Sequence, residues 1–375
     1  MADNKLQHYV PKCHLRPFGH GDELRSINLY NLSSSQFIRG ASLKGQCASD
    51  YFYGEDGMVE HALQHWEGRY STVLRSLAVD PHAATIDDLS LLREFALLQT
   101  FRTRGHVTRL TELVRRQRED ILAASEGRRL DIMKELPIRQ AVDMSIGHFL
   151  NSRASVTDLD SCLIVNGTRK QLVTSDDPAV LTNRYFLQRL REESSGLISA
   201  GAILYLPLSP RLAFLAFDGD IYYAPDRQGN VISVNKAEAI SELNEMQVLN
   251  SKHNIYYGDP RAEAQVGEEM ERFTQRRRTE LVHIQYFRLT GIKNEVEHYE
   301  PMDALEIRPG GEWITSFNFL QVHPSRWTRL LNFRLRPRFV DTGTRVGHIR
   351  PRVVVPGRHR KKVDRPIILG KKPRL

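Results

Sequence analysis

Two glutamates on one predicted helix are the first residues in this chain whose types and spacing could do chemistry. Glu60 and Glu67 lie seven positions apart in the segment MVEHALQHWEGRYSTVLRSLAV (58–79). At about 100° per residue, both border the apolar stripe of that helix instead of lying opposite it. A carboxylate drawn out of water needs a cation, a hydrogen-bond donor or a metal. Arg102, on the inward face of the next predicted helix, is the candidate partner.

A histidine near the start of the chain is held between prolines. His8 stands in QHYVPKCHLRPF (7–18), where Pro11 and Pro17 fix the backbone and bias the residues before them toward extended geometry. An imidazole that is placed so rigidly suits ligand binding. It is equally consistent with an N-terminal segment that is simply pinned to the core.

These side chains must be positioned by the elements of an α+β fold. Alternating apolar and polar residues predict a β-hairpin over 24–43, and helical periodicity predicts a helical bundle region within 57–152. Short apolar runs bounded by Gly, Pro, Asp and Ser predict a central, mostly antiparallel sheet over 159–234. Helical periodicity returns over 235–290. This segregated order is typical of α+β proteins, and we expect residues 1–323 to form one globular unit.

The net charge of +8 is carried by the C-terminal part of the sequence. Residues 324–375 hold 16 of the 53 Lys and Arg but two of the 45 acidic residues, which leaves 1–323 with a charge of −6. Because it has six prolines and little periodicity, this basic tail is predicted to be extended and to bind a polyanion. Acidic lipid, the acidic body of the protein and a role as a bare extension are the alternatives to DNA or RNA. The residues expected to contact nucleic acid are Arg334, Arg336, Arg338, Arg350, Arg352, Arg358, Arg360, Lys361, Lys362, Lys371 and Lys372.

Cysteine usage and missing fingerprints limit the compartment and the class of protein. Cys13, Cys47 and Cys162 are far apart and form no CxxC pair, which favours a reducing compartment over a disulfide framework. No apolar stretch predicts a secretory leader or a membrane span, so we expect a cytoplasmic protein. The sequence has no phosphate-binding Gly loop, G-x-S-x-G elbow or dinucleotide fingerprint. We therefore expect no organic cofactor.

Six fragments, taken in order, resemble a bacterial family known as domain of unknown function 4238. The opening QHYVPKCHLRPF is similar to its His-x-Val-Pro-x-x-Tyr-Leu-x-x-Phe start, with His14 in the place of the family's tyrosine. The other five fragments are DYFYGEDGMVEHALQHWE, QTFRTR, LVTSDDPAV, LPLSPRLAFLAFD and VNKAEAISELNEMQVLNSKHNIYY. The resemblance covers residues 7–290 and leaves the basic tail outside it. It implies a set of positions and no particular reaction, because the family has no settled activity.

The family's fragments add Asp176 to the candidate site. One imidazole with two or three carboxylates could hold Mg²⁺ or Mn²⁺ and polarise a phosphodiester. The predicted metal ligands are Glu60, Glu67 and Asp176. The predicted catalytic residues are His8, Glu60, Glu67, Arg102 and Asp176. The predicted function is that of a nucleic-acid-associated protein with metal-dependent nuclease activity, in the host-defence or mobile-element setting that a bacterial family suggests.

A structural interpretation of the same residues stays open. In that interpretation Glu67 and Arg102 form a buried ion pair, His8 caps the neighbouring backbone, and Asp176 accepts hydrogen bonds in a turn. The protein is then a non-catalytic nucleic-acid or protein binding module whose affinity lies in the basic tail. The two hypotheses differ in whether the candidate residues converge in one open cleft.

Overall fold

Seven α-helices lie in the part of the chain that the computed structural model describes. The described residues are 5–124, 135–278, 282–293, 296–308, 311–344, 346–353 and 361–363. The helices are α1 (Lys12–Leu15), α2 (Met58–Val79), α3 (Ile86–Arg102), α4 (Arg104–Ala124), α5 (Ile138–Ser152), α6 (Ala237–Asn250) and α7 (Glu263–Thr274). Among these described helices we find none with the length and apolar character that crossing a membrane requires.

The strands of the described residues pair antiparallel, apart from two parallel pairs, β13 with β6 and β16 with β21. Their bounds are β1 (Leu6–His8), β2 (Gly19–His20), β3 (Ser26–Asn31), β4 (Gln36–Ser42), β5 (Ala48–Asp50), β6 (Asp160–Asn166), β7 (Thr174–Ser175), β8 (Val180–Thr182), β9 (Ile203–Ser209), β10 (Leu212–Phe217), β11 (Tyr222–Tyr223), β12 (Arg227–Gln228), β13 (Val231–Val234), β14 (Asn254–Tyr257), β15 (Val282–Lys293), β16 (Val296–Met302), β17 (Trp313–Phe319), β18 (Asn332–Phe333), β19 (Val340–Asp341), β20 (His348–Ile349) and β21 (Lys361–Val363).

A six-stranded sheet in the order β12-β13-β6-β10-β9-β8 carries the main core. Both of its faces are buried, because successive side chains of a strand point to opposite sides. In β10, Leu212, Phe214 and Ala216 pack in one cluster with residues of α2, α3 and α5. Ala213 and Leu215 pack in a second cluster with α6 and with the chain near residue 330. The sheet therefore separates the helical region from the C-terminal part of the chain.

The α+β class and the predicted N-terminal elements are confirmed. Strands β3 and β4 pair as a hairpin inside the predicted range 24–43. The helix predicted over 58–79 is α2, with the same bounds. Thr85 starts α3 with a capping box to Asp88, and Pro137 is the N-cap of α5. These local signals work because each satisfies or limits the backbone groups at a helix end.

Over 235–290, where helical periodicity predicts helices, the structure has α6 and α7 and also two strands. Between α6 and α7, Asn254–Tyr257 forms strand β14, which lies between β3 and β7 in a five-stranded sheet. After α7, β15 begins at Val282 and pairs with β16 and β17. Both stretches contain Ile and Tyr, which suit a pleated and partly buried surface. Tyr286 of β15 packs with Ile121 and so places the four-stranded sheet β17-β15-β16-β21 against α4.

The described residues from 321 to 353, here called the C-terminal segment, lie on the body of the protein. Arg350 is 1% exposed and donates to the two carboxylate oxygens of Asp158 at 2.8 and 3.1 Å. Arg338 and Arg352 both pair with Asp220. Three arginines predicted to contact nucleic acid thus have carboxylates of the protein itself as partners, which is the acidic-body alternative.

Replacing Arg350 by Met should destabilise the protein by about 3 kcal/mol, because the Asp158 carboxylate would stay buried without its cation. Urea unfolding followed by circular dichroism measures the change. The control is Arg352→Met, whose side chain is 60% exposed and should cost less than about 1 kcal/mol. Equal losses in the two variants would contradict an anchoring role for Arg350.

Candidate functional site

The Arg102 side chain is the centre of the first candidate site. It leaves the last turn of α3, is fully buried, and donates from Nη2 to the backbone carbonyl of His8 at 2.8 Å and to Oε1 of Glu67 at 2.9 Å. Its Nε donates to the Tyr53 hydroxyl at 3.0 Å. Burial lowers the pKa of Arg102, but Tyr53 and Glu67 outweigh burial and raise it, so the guanidinium stays charged. This is the buried ion pair of the structural interpretation.

Glu60 and His8 lie near the Glu67–Arg102 ion pair, but their side chains are not part of it. Burial, followed by repulsion from Glu67, raises the pKa of the half-buried Glu60 carboxyl. The His8 ring places Nε2 3.0 Å from the carbonyl oxygen of Lys44. Burial and the nearby Lys12 ammonium lower the pKa of His8 to about 4. His8 is therefore neutral at pH 7, and its backbone carbonyl accepts a hydrogen bond from Arg102.

Three buried polar atoms on the same face of α3 have no protein partner among the described residues. They are both side-chain amide atoms of Gln99, which is 0% exposed, and Nη1 of Arg102. Gln99 precedes Arg102 by three positions, so the two side chains share one helix face. A buried polar group without a partner costs free energy, and such groups in folded proteins commonly bind ordered water. The Glu67–Arg102 ion pair therefore satisfies only part of the hydrogen-bonding capacity that is buried on this helix face.

Asp176 has a different set of partners from the Arg102 site. Its two carboxylate oxygens accept hydrogen bonds from the backbone N–H groups of Lys252 at 2.9 Å and His253 at 2.8 Å. The residue is 3% exposed, and burial, opposed by these two hydrogen bonds, raises the pKa of its carboxyl to about 6. Asp176 holds the turn between α6 and β14, which is the turn role of the structural interpretation.

Both carboxylate oxygens of the neighbouring Asp177 also have partners within the protein. It accepts a hydrogen bond from the Thr103 hydroxyl at 2.7 Å and pairs with Nη1 of Arg109 at 2.9 Å. Its carboxylate lies so close to Gly105 that a Cβ there would be 2.5 Å from Oδ2. Asp177 thus lies at the start of α4, where the helix dipole favours negative charge.

The predicted metal ligands do not gather into a metal-binding set. In the ranges that the structure describes, no three His, Cys, Asp or Glu side chains come close enough to hold a metal ion together. Glu60 and Glu67 lie near each other, but Glu67 is paired with Arg102 and the oxygens of Asp176 face backbone N–H groups. Glu60 and Glu67 alone would leave most of the oxygen shell that Mg²⁺ or Mn²⁺ prefers to other ligands. The metal stays a prediction that only a binding measurement tests.

His14, in the place of the resembled family's tyrosine, is a buried connector. Its Nδ1 lies 2.9 Å from the Tyr70 hydroxyl and its Nε2 lies 3.1 Å from the Thr174 hydroxyl. Burial, with a smaller contribution from Arg102, lowers the pKa of His14 to about 3. The neutral ring therefore joins α1 to α2 and β7, and it is closed to solvent.

The remaining predicted nucleic-acid-binding residues fall into three groups. Arg334 and Arg336 are exposed, and Nε of Arg334 donates to the carbonyl of Gly219. Lys361 and Lys362 lie in β21, of which the backbone pairing is described. The residues outside the described ranges are Arg358, Arg360, Lys371 and Lys372.

Two arginines that sequence reasoning missed lie over an aromatic ring of the C-terminal segment. The guanidinium carbons of Arg184 and Arg189 are each 4.8 Å from the ring centroid of Phe333. Arg184 precedes a π-helical turn, Phe186–Leu190, and Arg189 lies within it; the following Arg191 has a left-handed backbone. Three arginines within TNRYFLQRLR were a signal in the sequence, but nothing there connects them to a ring nearly 150 positions away.

A sequence model for a family described as "Protein of unknown function (DUF4238)" matches residues 6–261. The match includes every residue of the Arg102 site together with Asp176, and it ends before α7. No curated protein and no solved structure matches the chain.

The Asp176 carboxyl should make stability fall as the pH rises. Its pKa goes from the ordinary 3.8 in the unfolded chain to about 6 in the folded protein, so between these values the folded state binds more protons. Relative to Asp176→Asn, the wild type should lose about 2–3 kcal/mol from pH 4 to pH 6.5. Urea unfolding of both proteins across this range measures it. A difference between them that is constant with pH would contradict a raised pKa.

Proposed function

The chain belongs to the family described as "Protein of unknown function (DUF4238)", whose name assigns no activity, and we propose that this member binds nucleic acid through exposed arginines of its C-terminal segment and of the adjoining body. The surface concerned consists of Arg184, Arg189, Phe333, Arg334 and Arg336 and is called the Phe333 surface here. The family region supplies the first two of these residues, and the segment that follows it supplies the others.

The observation that carries the proposal is the pair of guanidinium groups over the half-buried ring of Phe333. Arg184 is fixed there, because its Nη1 donates to the carbonyl of Leu331 at 2.8 Å. The side chain of Arg189 is exposed, as are those of Arg334 and Arg336. Guanidinium forks match phosphate oxygens, and planar rings and guanidinium planes offer stacking surfaces to unpaired bases.

The charge of the sequence supports a polyanionic partner for this surface. Beyond the arginines that pair with Asp158 and Asp220, residues 354–375 carry eight further cations against Asp364. Cations in this number cannot be neutralised by the one acid of their own stretch. Long-range attraction to phosphates is the expected result, and it should weaken as salt is added.

Metal-dependent cleavage of the bound nucleic acid is a second candidate function. The observation that favours it is the raised pKa of the Glu60 carboxyl, to which burial and repulsion from Glu67 contribute, because a cation placed between the two would relieve that repulsion. Both residues lie in the family region. Among the described residues, no third His, Cys, Asp or Glu joins these two carboxylates to form a metal-binding group, so we rank cleavage below binding.

Fluorescence anisotropy with labelled single-stranded DNA and RNA tests the binding proposal. The double variant Arg334→Gln, Arg336→Gln should bind on the order of tenfold more weakly, and the slope of log affinity against log salt should become about 1.4 units less negative, because two phosphate contacts to a single strand are lost. Point variants are preferable to truncation at residue 323, which would also remove the buried Arg350.

The control is the double variant Arg39→Gln, Arg261→Gln, which removes two exposed and ion-paired arginines from elsewhere on the body. It changes the net charge by the same amount and should leave the affinity within about twofold of the wild type. An equal loss in both double variants would show a general charge effect and would contradict a specific Phe333 surface.

The cleavage candidate is tested in the same mixtures by adding Mn²⁺ or Mg²⁺ and then a chelator. Product that forms with metal, stops with chelator and is absent in Glu67→Gln supports a nuclease. Binding without any product, at saturating protein, removes the nuclease and leaves the binding module.

A further inference from the structure

A second cationic cluster surrounds the turn that Asp176 holds. Lys252 and His253 lie in this turn, the first half-buried and the second exposed. Their backbone N–H groups point inward to the carboxylate of Asp176, at 2.9 and 2.8 Å. The turn is thereby fixed from beneath.

Two arginines from other elements approach the same turn. Arg277, just after α7, donates from Nη2 to the carbonyl of Ser251 at 2.7 Å and to that of Lys252 at 3.1 Å. Its Nε is buried and has no hydrogen-bond partner within the described part of the chain. Arg104, the exposed first residue of α4, hydrogen-bonds the Tyr9 side chain, and its charge acts on His253.

The charges of three nearby cations act on the His253 imidazole. The pKa of its imidazole is lowered first by burial and then by the charges of Lys252, Arg104 and Arg277. An imidazole next to three cations is disfavoured in its charged form. Three elements that are separate in sequence therefore bring positive charge near the His253 ring.

The acidic groups near this point do not cancel the charge. Asp176 is 3% exposed, and both of its oxygens are used by the turn. Glu112 interacts electrostatically with Lys252. Its two carboxylate oxygens, however, accept hydrogen bonds from Nε and Nη2 of Arg115, at 2.9 and 2.7 Å. The cluster thus keeps a positive excess beside the buried Nε of Arg277, which has no partner among the described residues.

We propose that Arg104, Lys252, His253 and Arg277 form a binding site for a phosphoryl group. The guanidinium forks of Arg104 and Arg277 and the Lys252 ammonium would donate to its oxygens, and the backbone of the turn is already fixed for this by Asp176. The phosphoryl group comes either from inorganic phosphate or from a nucleic-acid strand. The site shares no residue with the Phe333 surface, so the two proposals stand or fall separately.

Isothermal titration calorimetry at constant ionic strength tests the site with two probes, inorganic phosphate and a 5′-phosphorylated single-stranded oligonucleotide. The Lys252→Met and Arg104→Gln variants should each bind at least about tenfold more weakly than wild type. The control Lys236→Met removes an exposed lysine at the N-cap of α6 and should bind as wild type does. Loss for both probes indicates a site for free phosphate. Loss for the oligonucleotide alone indicates a site for a nucleic-acid strand, and either result supports the proposal.

The His253 imidazole gives a second readout that a merely structural role of the cations would not move. A bound anion offsets their field, so saturating phosphate or oligonucleotide should raise the pKa of His253, measured by NMR of histidine-labelled protein. The proposal is overturned if neither probe raises it, or if both variants bind as the control does. Weaker oligonucleotide binding confined to Arg334→Gln, Arg336→Gln would also overturn it and would leave the Phe333 surface intact.

Discussion

The buried guanidinium of Arg102 is the contact on which the arrangement of the N-terminal half depends. It leaves α3 and reaches the backbone of His8 on β1, the Tyr53 hydroxyl and the Glu67 carboxylate on α2, so three segments are held to the end of one helix. Such a charge is expensive to bury, and it is tolerated because most of its donors have acceptors. Removing any one acceptor would leave a buried donor unpaired, so these residues form a unit and cannot be judged one at a time.

Sequence reasoning recovered the fold where local signals act alone. The apolar stripe of α2 and the alternation around β3 and β4 each fix an element without help from distant residues. It predicted helix where β15 begins, and it did not fix where β14 pairs, because a short run such as NIYY does not show what its neighbours are. Here the neighbours are β3 and β7, which come from parts of the chain that no local pattern connects to it.

The candidate site shows the same division. The nearness of Glu67 and Arg102 followed from two helical faces, and the structure has that ion pair. Asp176 could not be placed in the same way, because its partners are backbone N–H groups, which leave no trace in a sequence. The grouping of Arg104, Lys252 and Arg277 likewise depends on how α4, α7 and a turn pack. Charge counting identified the basic tail but not which of its arginines the body would take as partners.

The anchoring of Arg350 also has a consequence for how the protein is made. Its carboxylate partner, Asp158, precedes it by 192 residues, and the same guanidinium also donates to the carbonyls of Leu197 and Ser199. At ordinary rates of translation that separation amounts to an interval on the order of ten seconds or more. Throughout this time the nascent chain carries the Asp158 carboxylate without its arginine partner, so this anchoring contact forms only after residue 350 has been made.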